Sequence, residues 1–161
     1  MMEKAESSAI RDLLKGVPIF RDLTTDELDR IIALGRIVTY PKDMILFKEG
    51  DQGEALYVVL EGSICVSKAA PTGKENPMAF MERGSCFGEM ALVDDFPRSA
   101  TAVASLQSRV LFLDKQAFLD LLEVDPGIAR KILWAFCRSL SFRLREASDR
   151  IVALSSFTRP F

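Results

Sequence analysis

The sequence predicts an α+β fold that is mainly β, with helices on both sides of a long run of short strands. Between Ile37 and Asp114, apolar runs of strand length alternate with turn residues. Glycines recur in this region every nine to eleven residues, at Gly53, Gly62, Gly73 and Gly84. Such spacing is typical of a meander that closes into a barrel or a sandwich.

Two helices are predicted before the strands. Residues 3 to 15 carry apolar side chains on one side, which is typical of a helix that packs on a core. Thr24 or Thr25 is expected to cap a second helix, and Gly35 is expected to end it. The side chains expected to pack inward from this second helix are those of Leu28, Ile31, Ile32 and Leu34.

The last third of the chain predicts two more helices. A short one ends near Asp125, and Pro126 suits the first position of a long one that runs to about Ser155. Its apolar residues include a seam at coiled-coil spacing: Leu133, Cys137, Leu140, Leu144, Ala147, Ile151 and Leu154. The seam predicts pairing with a second copy, while the alternative is one amphipathic helix folded back on its own domain. Ile132, Phe136 and Phe142 lie off the seam and are expected to cover the barrel mouth.

Length and charge narrow the class of protein. The chain has 161 residues, enough for one domain (1–125) and an appended helical element with a short tail (126–161). No apolar run reaches the length of a membrane span and no secretory signal opens the chain, so cytoplasmic residence without a membrane partner is expected. The net charge of −2 and the scattered basic residues make nucleic acid an unexpected partner.

The chain contains no histidine. This removes the commonest metal ligand, the usual haem ligand and the usual acid–base residue. Its three cysteines, Cys65, Cys86 and Cys137, are far apart and are expected to be buried apolar residues in a reducing compartment. No metal, haem or iron–sulfur cluster is therefore expected, and an enzyme is the least expected class.

The segment from Phe87 to Thr101, FGEMALVDDFPRSAT, contains the clearest candidates for binding residues. Gly88 leaves the backbone open to close approach at a predicted helix start, where amides favour an anion. Arg98 offers a planar fork that matches two phosphate oxygens, and Ser99 offers a hydroxyl to the same group. Glu89 supplies a carboxylate that can accept a hydrogen bond from a ribose hydroxyl. The segment therefore predicts a site for a sugar phosphate.

This segment resembles the phosphate-binding cassette of cyclic nucleotide-binding domains, as found in catabolite activator-type regulators and regulatory subunits of cAMP-dependent kinases. The likeness extends to Val17–Ile31, which is similar to the family's helical entry, and to Tyr40–Val66, which resembles its first four strands. The resemblance implies an eight-stranded jelly-roll barrel with N-terminal helices, a short cassette helix and a long C-terminal helix.

The resemblance also implies roles for individual residues. Glu89 would accept the ribose 2′-hydroxyl, and Arg98 would pair with the cyclic phosphate. The residues that would assist Arg98 are Ser99 and its neighbour Ala100, together with the backbone of Gly88 and Met90. Val66, Ala79 and Phe87 would surround the base. Arg143 falls near the position where relatives cap the purine, and it either contacts the base or is a solvated helix residue.

The implied function is a cytoplasmic sensor of cAMP, with cGMP as the alternative, which repositions its C-terminal helix and signals to an unknown effector. Ser99 favours cAMP, because relatives selective for cGMP often have threonine there. After Leu154 only SSFTRPF remains, which is too short for a DNA-binding domain. Two alternatives stay open: a transcription regulator linked to DNA, and a dimerisation module whose pocket is vestigial.

Overall fold

The computed structural model describes residues 4–70, 73 and 75–157. Two helices come first, α1 (Lys4–Gly16) and α2 (Thr25–Leu34). The strands are β1 (Gly35–Tyr40), β2 (Ile45–Phe47), β3 (Ala55–Glu61), β4 (Ser63–Ala69), β5 (Glu75–Glu82), β6 (Cys86–Phe87), β7 (Thr101–Ala104) and β8 (Ser108–Asp114). A short helix α3 (Met90–Val93) interrupts them, and α4 (Lys115–Val124) and α5 (Pro126–Phe157) follow.

The strands form two four-stranded sheets whose pairings are antiparallel. One has the order β1-β8-β3-β6 and the other the order β2-β7-β4-β5. Within the described residues, backbone pairing does not join the two sheets at their edge strands, so the strands do not form one closed hydrogen-bonded barrel. The mainly β architecture with flanking helices is confirmed, and the jelly-roll barrel stays a prediction.

Strand β3 is buried on both faces, which explains its unbroken apolar sequence. Alternate residues of a strand point to opposite faces, and here each face has its own core. Leu56 and Val58 belong to a cluster shared with the helices, whereas Ala55 and Tyr57 belong to a cluster shared with the second sheet. Because β3 lies between the two cores, its backbone and Tyr57 are fixed where the candidate site forms.

The N-terminal helices agree closely with prediction. Thr24 caps α2 through a capping box with Glu27, because the hydroxyl accepts from the Glu27 amide and the Glu27 carboxylate accepts from the Thr24 amide. Gly35 is the C-cap. The described part of α1 matches the predicted helix within one residue at its C-terminal end, and residue 3 lies outside the described residues.

The first turns of α5 pack on the domain. Ile132 and Phe136 are buried in the core cluster that includes α1, α2 and α4. Phe142 was expected beside them but is 63% exposed. That expectation was wrong because Phe142 lies about a third of a turn from the face of α5 that carries Phe136, and Arg143 continues that face instead.

Ion pairs tie the start of α5 to the N-terminal helices. Lys131 donates to Glu27, with a nitrogen–oxygen distance of 2.6 Å, and Arg138 pairs with Asp22. Burial raises the pKa of Glu27, but pairing with Lys131 contributes to holding that pKa below its ordinary value. Pairing with Arg138 lowers the pKa of Asp22. The start of α5 is therefore fixed to the domain by both apolar and polar contacts.

Within the described residues, the second half of α5 adds no buried side chain to the core of the domain. All its described side chains from Cys137 to Ser155 are exposed or half-exposed, including the whole predicted seam beyond Phe136. The tail residues 158–161 lie outside the described residues. No helix within the described ranges is long and apolar enough to cross a membrane.

Candidate ligand-binding site

A cavity of about 560 Å³ opens between the second sheet, the segment that carries α3, and the middle of α5. Its lining is supplied by Phe47, Val66, Met81, Asp94, Phe96, Pro97, Arg143 and the two stretches 86–91 and 98–100. The volume lies within the range of small-molecule sites. The cavity is therefore large enough for one nucleotide-sized ligand.

Arg98 is the buried cation of this cavity, with a relative exposure of 7%. Its Nη1 donates to the carbonyl of Gly88 at 3.1 Å, and its Nη2 donates to the carbonyl of Ala55 at 2.7 Å. The guanidinium carbon lies 4.2 Å from the centre of the Phe47 ring. These contacts hold the planar group in one orientation.

The backbone around Arg98 is fixed by the turn that follows β2. The Arg98 amide donates to the carbonyl of Asp51 at 2.7 Å, and the Gly50 amide donates to the carbonyl of Arg98 at 2.9 Å. The Asp51 carboxylate in turn accepts from the Lys48 amide. The turn formed by residues 49–51 therefore positions the cassette arginine and does not line the cavity itself.

The charge of Arg98 has no carboxylate partner among the described residues. Its Nε is buried and makes no hydrogen bond. Burial lowers the pKa of the guanidinium below its ordinary value, although an arginine remains protonated at neutral pH. A buried cation with an unused donor is costly unless an anion binds beside it.

Glu89 lies at the start of α3 and is 13% exposed at its side chain. Its Oε1 pairs with Nη1 of Arg143 at 2.5 Å. Arg143 comes from the exposed half of α5 and is itself 52% exposed. The ion pair therefore brings the second half of α5 to the rim of the cavity.

Gly88 and Met90 bring open backbone to the cavity beside Arg98. Gly88 has a φ of 77°, and Met90 begins the four-residue helix α3. The first amides of any helix lack partners within that helix. Ser99, which is exposed, and Ala100, which is buried, complete this side of the lining. The arrangement offers donors to an anion from both main chain and side chain.

The part of the lining around Phe47 and Phe87 is aromatic. Phe87 stacks on Tyr57 with ring centres 5.1 Å apart, and Phe47 packs against both rings. Burial raises the pKa of the Cys86 thiol well above its ordinary value, with a further contribution from the nearby charge of Glu89. Cys86 therefore stays neutral at physiological pH. This part of the lining, which contains aromatic rings, suits a flat aromatic group.

Nine of the ten residues predicted for the site line the cavity, and Ala79 does not. Ala79 lies opposite Val66 in the β4–β5 pair. Met81, two residues further along the same strand and therefore on the same face, lines the cavity. The role of the other nine residues in binding a ligand stays a prediction.

The sequence prediction missed the groups that hold Arg98. The Ala55 carbonyl and the rings of Phe47 and Tyr57 come from strands far away in the chain. Phe47 and Tyr57 each lie in a predicted strand, but nothing in those runs indicates that the two rings meet Arg98. No side-chain pattern can indicate a backbone carbonyl as a partner.

Within the described ranges, no group of three or more acidic or cysteine side chains could hold a metal ion. The groups that the cavity offers are the buried guanidinium of Arg98, the carboxylates of Glu89 and Asp94, backbone amides and an apolar wall. This set fits an organic anion with a hydroxyl group and a flat apolar part.

Comparison with known proteins agrees with this geometry. The family model for the cyclic nucleotide-binding domain matches residues 37–125, which is more than half of the chain. The chain belongs to this family. The matched range contains both sheets, the cassette and Arg98, whereas Arg143 lies beyond it.

Two curated relatives illustrate the range of the family. The chain is 34% identical over 142 residues to the cyclic AMP receptor protein of Thermus thermophilus, covering 88% of this chain and 64% of that protein. It is 35% identical over 120 residues to a cAMP-dependent protein kinase regulatory subunit of Pyricularia oryzae, covering 74% of this chain and 30% of that protein. The chain thus spans less than two thirds of these relatives.

A solved structure supports the fold. A cyclic nucleotide-binding domain from Methylobacillus flagellatus superimposes with a TM-score of 0.78 at 30% identity, covering 92% of this chain and 84% of that one. The two curated relatives are named as regulatory or receptor proteins.

Proposed function

We propose that this chain is a non-enzymatic cyclic nucleotide sensor that prefers cAMP. The observation that carries the proposal is Arg98, a buried guanidinium that faces a nucleotide-sized cavity without a carboxylate partner among the described residues. A cyclic phosphate is a single negative charge that would match this cation. Family membership supports the same ligand class.

The proposed binding mode uses each part of the cavity. The phosphate lies against Arg98, Ser99 and the amides at the start of α3, because these donors converge there. The ribose 2′-hydroxyl donates to Glu89. The base lies along the apolar lining that includes Val66 and Phe87. The preference for cAMP over cGMP rests on serine rather than threonine at position 99.

A calorimetric titration with cAMP, cGMP and non-cyclic AMP tests this proposal. We expect saturable binding of cAMP, weaker binding of cGMP and much weaker binding of AMP, whose phosphate carries more negative charge than the site has cations to match. Ligand at one hundred times its dissociation constant should raise the free energy of unfolding by about 2.7 kcal/mol. If no cyclic nucleotide binds or raises the melting temperature, the pocket is vestigial and the proposal fails.

We further propose that α5 pairs with a second copy of the chain and that ligand binding repositions it. The apolar seam of α5 is uncovered in the described part of the single chain, and its spacing is that of a two-stranded coiled coil. The three cysteines are not bonded to one another, which fits the reducing environment of the cytoplasm. The expectation that all three are buried was wrong, because Cys137 lies on the exposed part of α5 and Cys65 and Cys86 are half-buried. The effector that would respond to α5 has no candidate in the structure.

Replacing Ile151 with glutamate should convert a dimer into a monomer, because it places a charge inside the apolar seam. Ile151 is exposed in the single chain, so the fold itself should be unaffected. Sedimentation of the parent and variant at micromolar concentration measures the effect. Arg145→Glu introduces the same residue off the seam and should leave the dimer intact. A monomeric parent would contradict the pairing proposal.

A regulator of transcription is the second candidate, because one curated relative is named as the cyclic AMP receptor protein and another as a cAMP-activated global transcriptional regulator. The chain spans 64% of the first of these. The net charge of −2 is unfavourable for contact with DNA by this part. Salt-dependent binding of the chain to DNA fragments in the presence of cAMP would favour this candidate.

A further inference from the structure

The ion pair between Arg143 and Glu89 occupies a carboxylate that the proposed ligand would also contact. Glu89 is the residue to which the proposed function assigns the ribose 2′-hydroxyl, and its Oε1 is paired with Nη1 of Arg143 at 2.5 Å. Both side chains line the same cavity. The guanidinium therefore stands in space that a ligand must enter in order to reach Glu89.

We propose that Arg143 is a specificity-determining residue, which competes with the ligand's 2′-hydroxyl for Glu89 and so weakens the preference for ribose over deoxyribose. This inference rests on the proposed function. Two effects act in the same direction: the guanidinium obstructs the approach to the carboxylate, and its charge makes the carboxylate a weaker acceptor for a neutral hydroxyl.

The position of Arg143 on α5 allows this competition to occur. The helix beyond Arg138 is exposed, so few apolar contacts oppose a small displacement of its side chains. Arg143 is half-exposed and can transfer its charge to water when it leaves Glu89. Arg98, in contrast, is buried and held by two carbonyls, and it does not take part in the exchange.

The test is the ratio of two dissociation constants, that of 2′-deoxy-cAMP divided by that of cAMP. A general loss of positive charge lowers the affinity for both ligands equally, so its effect cancels in this ratio. We expect Arg143→Gln to raise the ratio about two- to fivefold, the range for a partly exposed ion pair. Arg143→Met, which keeps an apolar stem, should have the same effect.

Two control variants test whether the change in the ratio of dissociation constants depends on the pair of Arg143 and Glu89. Arg150→Gln removes the same charge two helical turns further along the same face of α5 and should leave the ratio unchanged. In a Glu89→Gln background, Arg143→Gln should have no further effect on the ratio, because the shared carboxylate is gone.

The outcomes separate this inference from the proposed function. A ratio that rises in the Arg143 variants and not in Arg150→Gln supports the competition. A ratio that stays the same or falls in those variants overturns it, and a fall would mean that Arg143 instead positions Glu89 for the ribose. Absence of binding by the parent chain overturns the proposed function and this inference together.

Discussion

Replacing Arg98 with glutamine should lower the affinity for cAMP at least about thirtyfold, which corresponds to a loss on the order of 2–5 kcal/mol. The variant removes the cation that the structure leaves without a carboxylate partner among the described residues, at the point where Nε also lacks a hydrogen bond. Arg98→Lys keeps the charge but loses the planar fork, so it should also bind weakly. Calorimetric titration of the purified variants measures the effect.

Arg36 provides a matched control for Arg98. Its guanidinium carbon also lies 4.2 Å from the centre of a phenylalanine ring, that of Phe112, but Arg36 does not line the cavity. Arg36→Gln should therefore leave the affinity for cAMP unchanged. Equal affinity in the parent and in Arg98→Gln, with both folded by circular dichroism, would show that the cavity has been misassigned.

Replacing Gly88 with alanine should both destabilise the protein and weaken ligand binding. Gly88 has a φ of 77°, where a side chain costs about 1–2 kcal/mol of the free energy of unfolding. A Cβ atom there would also lie 2.7 Å from Nη1 of Arg98 and 3.1 Å from the Ala55 carbonyl oxygen. Arg98 would have to move, so we expect the affinity for cAMP to fall by about tenfold or more.

A substitution at Gly84 separates the loss of stability from the loss of affinity for cAMP. The φ of Gly84 is 84°, but a Cβ atom there would meet no atom within 4 Å. Gly84→Ala should thus lose similar stability in thermal or denaturant unfolding while keeping its affinity for cAMP. If both glycine variants lost the same affinity, backbone strain alone would explain the result and the contact with Arg98 would be unimportant.

The local elements were predictable because their causes lie close together in the chain. The Thr24 capping box needs only residues three apart, and Pro126 begins α5 through the constraint on its own φ. The cassette could also be predicted, because residue type alone shows which functional groups it offers. These residues are Gly88, Glu89, Arg98 and Ser99. Nine of the ten predicted site residues therefore line one cavity.

Differences from prediction arose where the answer depends on the assembled fold or on the exact face of a long helix. Ala79 and Met81 share a strand and a face, and only the three-dimensional structure shows that Met81 lines the cavity whereas Ala79 does not. Phe142 is apolar but lies about a third of a turn from the face that carries Phe136, because six residues do not complete two turns of a helix. Arg143, seven residues after Phe136, continues that face and lines the cavity instead.

The order of helices and strands, the family and the chemical groups of the cassette could be predicted from residue patterns alone, because all of these follow from local patterns. The burial of Arg98 against the Ala55 carbonyl and the Phe47 ring, and the contact of Arg143 with Glu89 from α5, could be seen only in the folded chain. These contacts join segments distant in the chain. Their partners are selected by the packing of two sheets and a helix, which no single segment encodes.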